Sequence, residues 1–196
     1  MKSDEIQGTI QAGDAFLGLI QQTLGEAKRS GQNQFQIHAG VVKFAKAHDS
    51  RTVLSLTRAG ENQNTVHQNG IRSAMSDRHG RTDYIAGMRL GVQLLPNEQP
   101  DQRNFFIFLT DGKPNEHSFQ DVQNYFQSVQ KQKGISLNFV AVGDDVKNSH
   151  EMQNLANHAS PLSYDANHTG TYIYANQGSQ ISQSFSQVFR KIFACN

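Results

Sequence analysis

Residues 104–116 read NFFIFLTDGKPNE, and this run constrains the fold more than any other in the chain. Five consecutive apolar side chains, Phe105 to Leu109, suit a strand buried on both faces, as in a parallel sheet covered by helices. The run ends on Thr110 and Asp111, followed at once by Gly112, Lys113 and Pro114. Asp-Gly is common turn chemistry, so Asp111 has a plain reading as a turn residue. A carboxylate at that position also stands where α/β proteins bind ligands, outside the carboxyl edge of the sheet.

The elements around this strand alternate. Ile6, Ile10, Gly13, Leu17, Ile20 and Leu24 line one face of a first helix, with Ser3 as a plausible N-cap. Residues 35–45, FQIHAGVVKFA, and 52–56, TVLSL, read as two strands joined closely enough for an antiparallel hairpin. Val66, Ile71 and Met75 suggest a small helix. From Asp83 a stronger one carries Ile85, Met88, Val92 and Leu95 until Pro96 stops it. After strand 104–110 come helix 118–132, strand 135–142, a helix near 149–158, strand 171–175 and a helix with Ile181, Phe185, Val188 and Ile192. Strands alternating with helices predict a largely parallel sheet covered on both faces through right-handed crossovers.

The chain of 196 residues suits a single domain, 1–196, with a full core. A net charge of +1 favours neither nucleic acid nor an anionic membrane as partner. The one cysteine, Cys195, allows neither an internal disulfide nor a cysteine zinc cluster. No stretch approaches the roughly 20 apolar residues of a membrane helix, so membrane insertion is not expected. Met1 is followed by Lys2, Ser3, Asp4 and Glu5, which is not the pattern of a signal peptide. The compartment stays open, with the cytoplasm favoured.

Several enzyme signatures are missing. The sequence has no glycine-rich dinucleotide fingerprint after a strand, no phosphate loop and no G-x-S-x-G elbow. HEMQN at 150–154 approaches the zinc-protease helix, but Asn154 replaces the second histidine and His158 falls a further turn away.

Four pieces in order carry a resemblance: HAGVVKFA…TVLSLT, HGRTDYIAGMRLG, NFFIFLTDGKPN and LNFVAVGDDV. Together they make the chain similar to a von Willebrand factor type A domain of bacterial type. The resemblance implies an α/β, Rossmann-like three-layer sandwich: a mainly parallel central sheet with one antiparallel edge strand, and helices on both faces. It also implies a divalent cation, usually Mg2+, in a metal-ion-dependent adhesion site at the carboxyl edge. In such domains an Asp-x-Ser-x-Ser triplet, a threonine and an aspartate serve the ion. By position, Thr82 matches the threonine and Asp111 the aspartate. Hard oxygen ligands of this kind suit magnesium. Thr82 has a second reading as a helix N-cap, and Asp83 suits stabilisation of the helix start better than ligation.

The triplet expected before the first helix is not in the sequence, which begins Met1, Lys2, Ser3, Asp4, Glu5, Ile6. The resemblance therefore implies an N-terminally truncated domain lacking its first, central strand and three metal ligands. That strand would lie between 35–45 and 104–110. Its absence exposes two inner edges whose backbone groups cost about 1–3 kcal/mol each if buried unsatisfied. The chain could pair those strands directly, or share a strand with another chain in an oligomer.

The reading is thus a protein-binding module of adhesion or scaffold type, not an enzyme, with a protein partner offering an acidic residue to the metal. Two residues alone should hold Mg2+ weakly or not at all. A metal-free remnant without ligand-binding activity is one alternative. A metal-assisted hydrolase or phosphotransferase using Asp111 is less favoured, because Lys113 stands where a haloacid-dehalogenase-type enzyme typically has a second aspartate.

Overall fold

A computed structural model describes residues 3–32, 36–46, 48–59, 65–75, 82–97, 102–158 and 170–193. Phe35, the Gly80-Arg81 pair and Cys195, all named above, lie outside the described residues, as do the side chains of Val66 and Met75. Helix α1 spans Ser3–Arg29. Gly13, Leu17 and Ile20 of the expected stripe are buried, while Ile6, Ile10 and Leu24 are half-buried. The helix already includes Ser3, so its cap falls outside the described residues.

Strands β1 (His38–Lys43) and β2 (Arg51–Arg58) form the antiparallel hairpin expected of them. A π-helical segment, Thr65–Arg72, runs into the single turn α2 (Ser73–Met75). Helix α3 (Tyr84–Leu94) closes at Leu95, directly before Pro96. Then β3 (Asn104–Thr110), α4 (Phe119–Lys133), β4 (Ile135–Val142), a 3-10 turn (Asp144–Val146), α5 (His150–His158), β5 (Tyr172–Ala175) and α6 (Gly178–Phe193) follow in order.

Local chemistry explains the boundaries of α4. Ser118 caps it by accepting from the Asp121 N–H, while the Asp121 carboxylate accepts from the Ser118 N–H, a reciprocal capping box. Gly134 ends the helix in the left-handed region at φ 55°, where a residue without Cβ is unstrained.

The strands β3, β4 and β5 form a parallel sheet in that order. Side chains of β4 alternate across it. Ile135, Leu137, Phe139 and Ala141 pack with Tyr84 and Met88 of α3, Val122 and Phe126 of α4 and Met152 and Leu155 of α5. Val140 and Val142 pack on the other face with Ala12 of α1 and Ile181 and Val188 of α6. A third cluster of Leu17, Ile20, Ile37, Ala59 and Phe189 ties the hairpin to α1 and α6. The architecture is the expected α/β sandwich with helices on both faces.

The strands do not form one continuous sheet. Among the described residues the hairpin and the parallel trio are separate, with no ladder between β1 and β3, so direct pairing of these two strands is not the solution adopted. Helix α3 packs against both: an added Cβ at Gly87 would meet Phe44, directly after β1, and one at Gly91 would meet Phe106 of β3. Among the described residues no helix is long and apolar enough to cross a membrane.

Candidate functional site

The carboxyl end of β3 and the amino end of α3 meet at one sheet edge. Asp83 holds an extended conformation, φ −104° and ψ 95°, and its side chain accepts from the Ala86 N–H at 2.9 Å. It is the N-cap of α3 and is buried, 4% exposed, which agrees with its expected helix-start role. Capping therefore falls to Asp83 rather than to Thr82. Thr82 precedes the cap, and its Oγ lies 3.3 Å from where a Cβ would stand at Gly112. The threonine hydroxyl is thus beside the loop that carries Asp111.

Two further contacts hold the loops in register. The Thr82 N–H donates to Asn115 Oδ1 at 2.8 Å, and the Asn115 N–H donates to the Thr82 carbonyl at 3.1 Å. The Asp83 N–H donates to the Ala45 carbonyl at 3.0 Å, tying the site to the chain just beyond β1. Asn115 belongs to the motif recognised in the sequence, but nothing local to it indicates a partner 33 residues away.

Tyr84 anchors the other side of Asp111. Its hydroxyl donates to the Gly112 carbonyl at 2.8 Å, and the Thr110 hydroxyl donates to the same oxygen at 2.9 Å. The residues on either side of Asp111 are therefore fixed, and Asp111 itself is half-buried. Tyr84 is fully buried. Burial pushes its phenol well above the ordinary range, the Thr110 hydroxyl opposes this, and the charge of Asp111 adds a smaller upward push. His117 brings Nε2 to 3.6 Å from Asp83 Oδ1, an ion-pair distance when the imidazole is protonated.

The candidate donors named from the sequence are one hydroxyl, Thr82, which lies beside Gly112, and one carboxylate, Asp111, the residue before that glycine. Both are hard oxygen donors and fit magnesium or a similar divalent ion in kind. No cluster of three or more His, Cys, Asp or Glu able to hold a metal occurs among the described residues. The HEMQN segment lies on α5. Glu151 is exposed, and its carboxyl is held below the usual range by its own backbone N–H and then by the Ser149 hydroxyl, which donates to it at 3.0 Å.

The family model for the von Willebrand factor type A domain matches residues 3–186. The chain belongs to this family, whose domains serve in adhesion and protein binding, are mostly non-enzymatic, and can hold a divalent metal at an adhesion site. No curated protein matches the chain by sequence.

Solved structures share the fold at low identity. A von Willebrand factor type A protein from Catenulispora acidiphila is similar at TM-score 0.67 and 15% identity, over 97% of this chain and 39% of that one. The pilus adhesin SpaC from Lactobacillus rhamnosus GG is similar at TM-score 0.58 and 16% identity, over 94% of this chain and 28% of its own. Proximal thread matrix protein 1 from the mussel byssus, with a zinc-occupied adhesion motif, is similar at TM-score 0.59 and 18% identity, over 94% of this chain and 43% of its own. The chain thus spans less than half the length of each of these proteins.

Proposed function

We propose that this domain binds a protein partner through a divalent cation at the carboxyl sheet edge, with Thr82 and Asp111 as its own contribution to the ion's shell. The observation that carries the reading is the Thr82 hydroxyl beside Gly112, 3.3 Å from the Cβ position, with Asn115 clamping Thr82 on both backbone sides. When bound, the ion would act as a Lewis acid with an open position for a partner's Asp or Glu. The chain's own groups hold the loops: Asp83 fixes the helix start, and Tyr84 and Thr110 fix the turn.

The site is incomplete in this sequence, because the Asp-x-Ser-x-Ser part of the family's motif is not in it. A zinc-occupied motif in the byssus protein supports a divalent ion without choosing between zinc and magnesium. The pilus and byssus neighbours lend no support to the cytoplasm as the setting.

Calorimetric titration with Mg2+ and with Zn2+ tests the assignment. Weak binding is expected, lost in Asp111→Ala and reduced in Thr82→Ala. Tight one-to-one binding would refute incompleteness. Weak binding indifferent to both substitutions would remove these residues from the site, and no binding at all would favour a metal-free domain.

A further inference from the structure

We propose that the outer edge of β2 is a second interaction surface, which takes an extended, acidic-ended segment of a protein partner as an added strand. The inference goes beyond the metal-site reading and does not rest on it.

Among the described residues β2 pairs with β1 alone. Both faces of the hairpin are covered. Gly40 and Val41 are adjacent in β1 and so stand on opposite faces. An added Cβ at Gly40 would meet Leu94 of α3, while Val41 and Leu54 lie against Gly70 of the π-helical segment. Leu54 also packs with Leu17 and Ile20 of α1. What the described residues leave to β2 is the outer row of its backbone groups, the part of a strand that pairs with another chain.

Length and composition favour that use. β2 has eight residues, whereas β5, the last strand of the parallel trio, has four. Short edges discourage pairing and long ones template it. Thr52, Val53, Leu54, Leu56 and Thr57 are half-buried, rich in β-branched side chains and free of proline.

Charge selects the occupant. Residues 36–75 carry five Lys and Arg against two Asp and Glu, while the rest of the chain carries 13 against 15. The basic excess of a nearly neutral chain is therefore gathered around the hairpin. Arg51 and Arg58, both exposed, mark the two ends of β2. They stand roughly 20 Å apart at about 3.3 Å per residue. A segment of about eight residues with a carboxylate at each end meets both in either direction. A second copy of this chain fits less well. Two β2 strands paired antiparallel about a twofold axis set Arg51 opposite Arg58 of the other copy, and like charges directly opposite destabilise a ladder. β2 also spends eight residues opposite six of β1, with register shifts at two points. Such bulges bend and twist a strand, which a single flexible segment follows better than a preformed sheet.

The experiment titrates the fluorescein-labelled octapeptide EVTVTVTE into the full chain by anisotropy, in EDTA so that no ion contributes. Controls are KVTVTVTK and EVPVPVTE, whose prolines cannot donate to a ladder. EVTVTVTE should bind about tenfold more tightly than KVTVTVTK, with the difference shrinking as salt is raised. The proline peptide should not bind, and amide exchange should slow in residues 51–58 alone. Arg51→Glu with Arg58→Glu should reverse the preference to KVTVTVTK, which an unfolded variant could not do. Arg51→Gln and Arg58→Gln singly should each weaken the acidic peptide. Equal binding of the two charged peptides, binding of the proline peptide, protection outside β2 or no binding at about 1 mM would overturn the proposal. Sedimentation of the free chain as a dimer with β2 protected would overturn it in favour of a second copy.

Discussion

Phe44 stands where a side chain at Gly87 would have to go. A Cβ at position 87 would lie 2.8 Å from Phe44 Cβ and 2.9 Å from its Cγ. Those are the atoms of Phe44 nearest its backbone, so the ring cannot swing clear, and this contact sets how closely α3 approaches the end of β1.

Gly87→Ala should therefore destabilise the fold by about 1–3 kcal/mol through overpacking, against a helix-propensity gain of about 1 kcal/mol. Gly91→Ala should cost less, because there the obstacle is the tip of the half-buried Phe106 ring. Gly18→Ala, with nothing within 4 Å, should instead stabilise by up to about 1 kcal/mol. Chemical denaturation of the three variants gives the ranking, and a Gly87→Ala protein as stable as the parent would contradict the packing.

Tyr84→Phe removes the hydroxyl that donates to Gly112 and should cost about 1 kcal/mol, the usual worth of such a hydrogen bond. The pH dependence has a definite sign. The folded phenol titrates above its unfolded value of about 10, so the folded state keeps a proton that the unfolded state loses. Its stabilising contribution is present below about pH 10 and declines as pH rises above that value. Urea unfolding between pH 8 and 11 should show a decline that is shallower in Tyr84→Phe.

The capping box of α4 predicts the opposite sign in acid. The Ser118 hydroxyl, and then its N–H, hold the Asp121 carboxyl below its usual value. That contribution is present above the unfolded value of about 4 and is lost as pH falls through the lower folded value. Ser118→Ala should cost about 1 kcal/mol at pH 7 and progressively less below pH 4. A cost that does not change with acidity would show that the ionised Asp121 half of the box contributes nothing in solution.

Hydrolytic turnover is not expected, since a catalytic carboxylate needs a partner acid, base or complete metal site within reach. Phosphate esters, peptides and acyl esters are the substrates to screen. An activity abolished by Asp111→Asn would replace the binding-module reading with an enzymatic one.

The order and kind of the elements were legible because each is set by local pattern. β3 and β4 have the limits read from their apolar runs, and α4 begins at its Ser118 cap. Asp83 as a helix-start residue was legible for the same reason. The sequence also paired Thr82 with Asp111, but only through resemblance to a family. Nothing local relates a threonine before one helix to an aspartate after another strand.

Tertiary structure sets Thr82 beside Gly112, in the loop that follows Asp111. Tyr84, carried on the first turn of α3, reaches across to Gly112 and brings Thr82 to the same loop, while Asn115 closes it from the other side. It also decided how the apolar runs are used. As a sequence β3 is a strand buried on both faces, yet in the fold its side chains are less covered than those of β4. Periodicity fixes which way side chains point along a strand, because that is a property of the backbone. Whether a neighbour lies beside the strand depends on the rest of the fold, which periodicity does not encode.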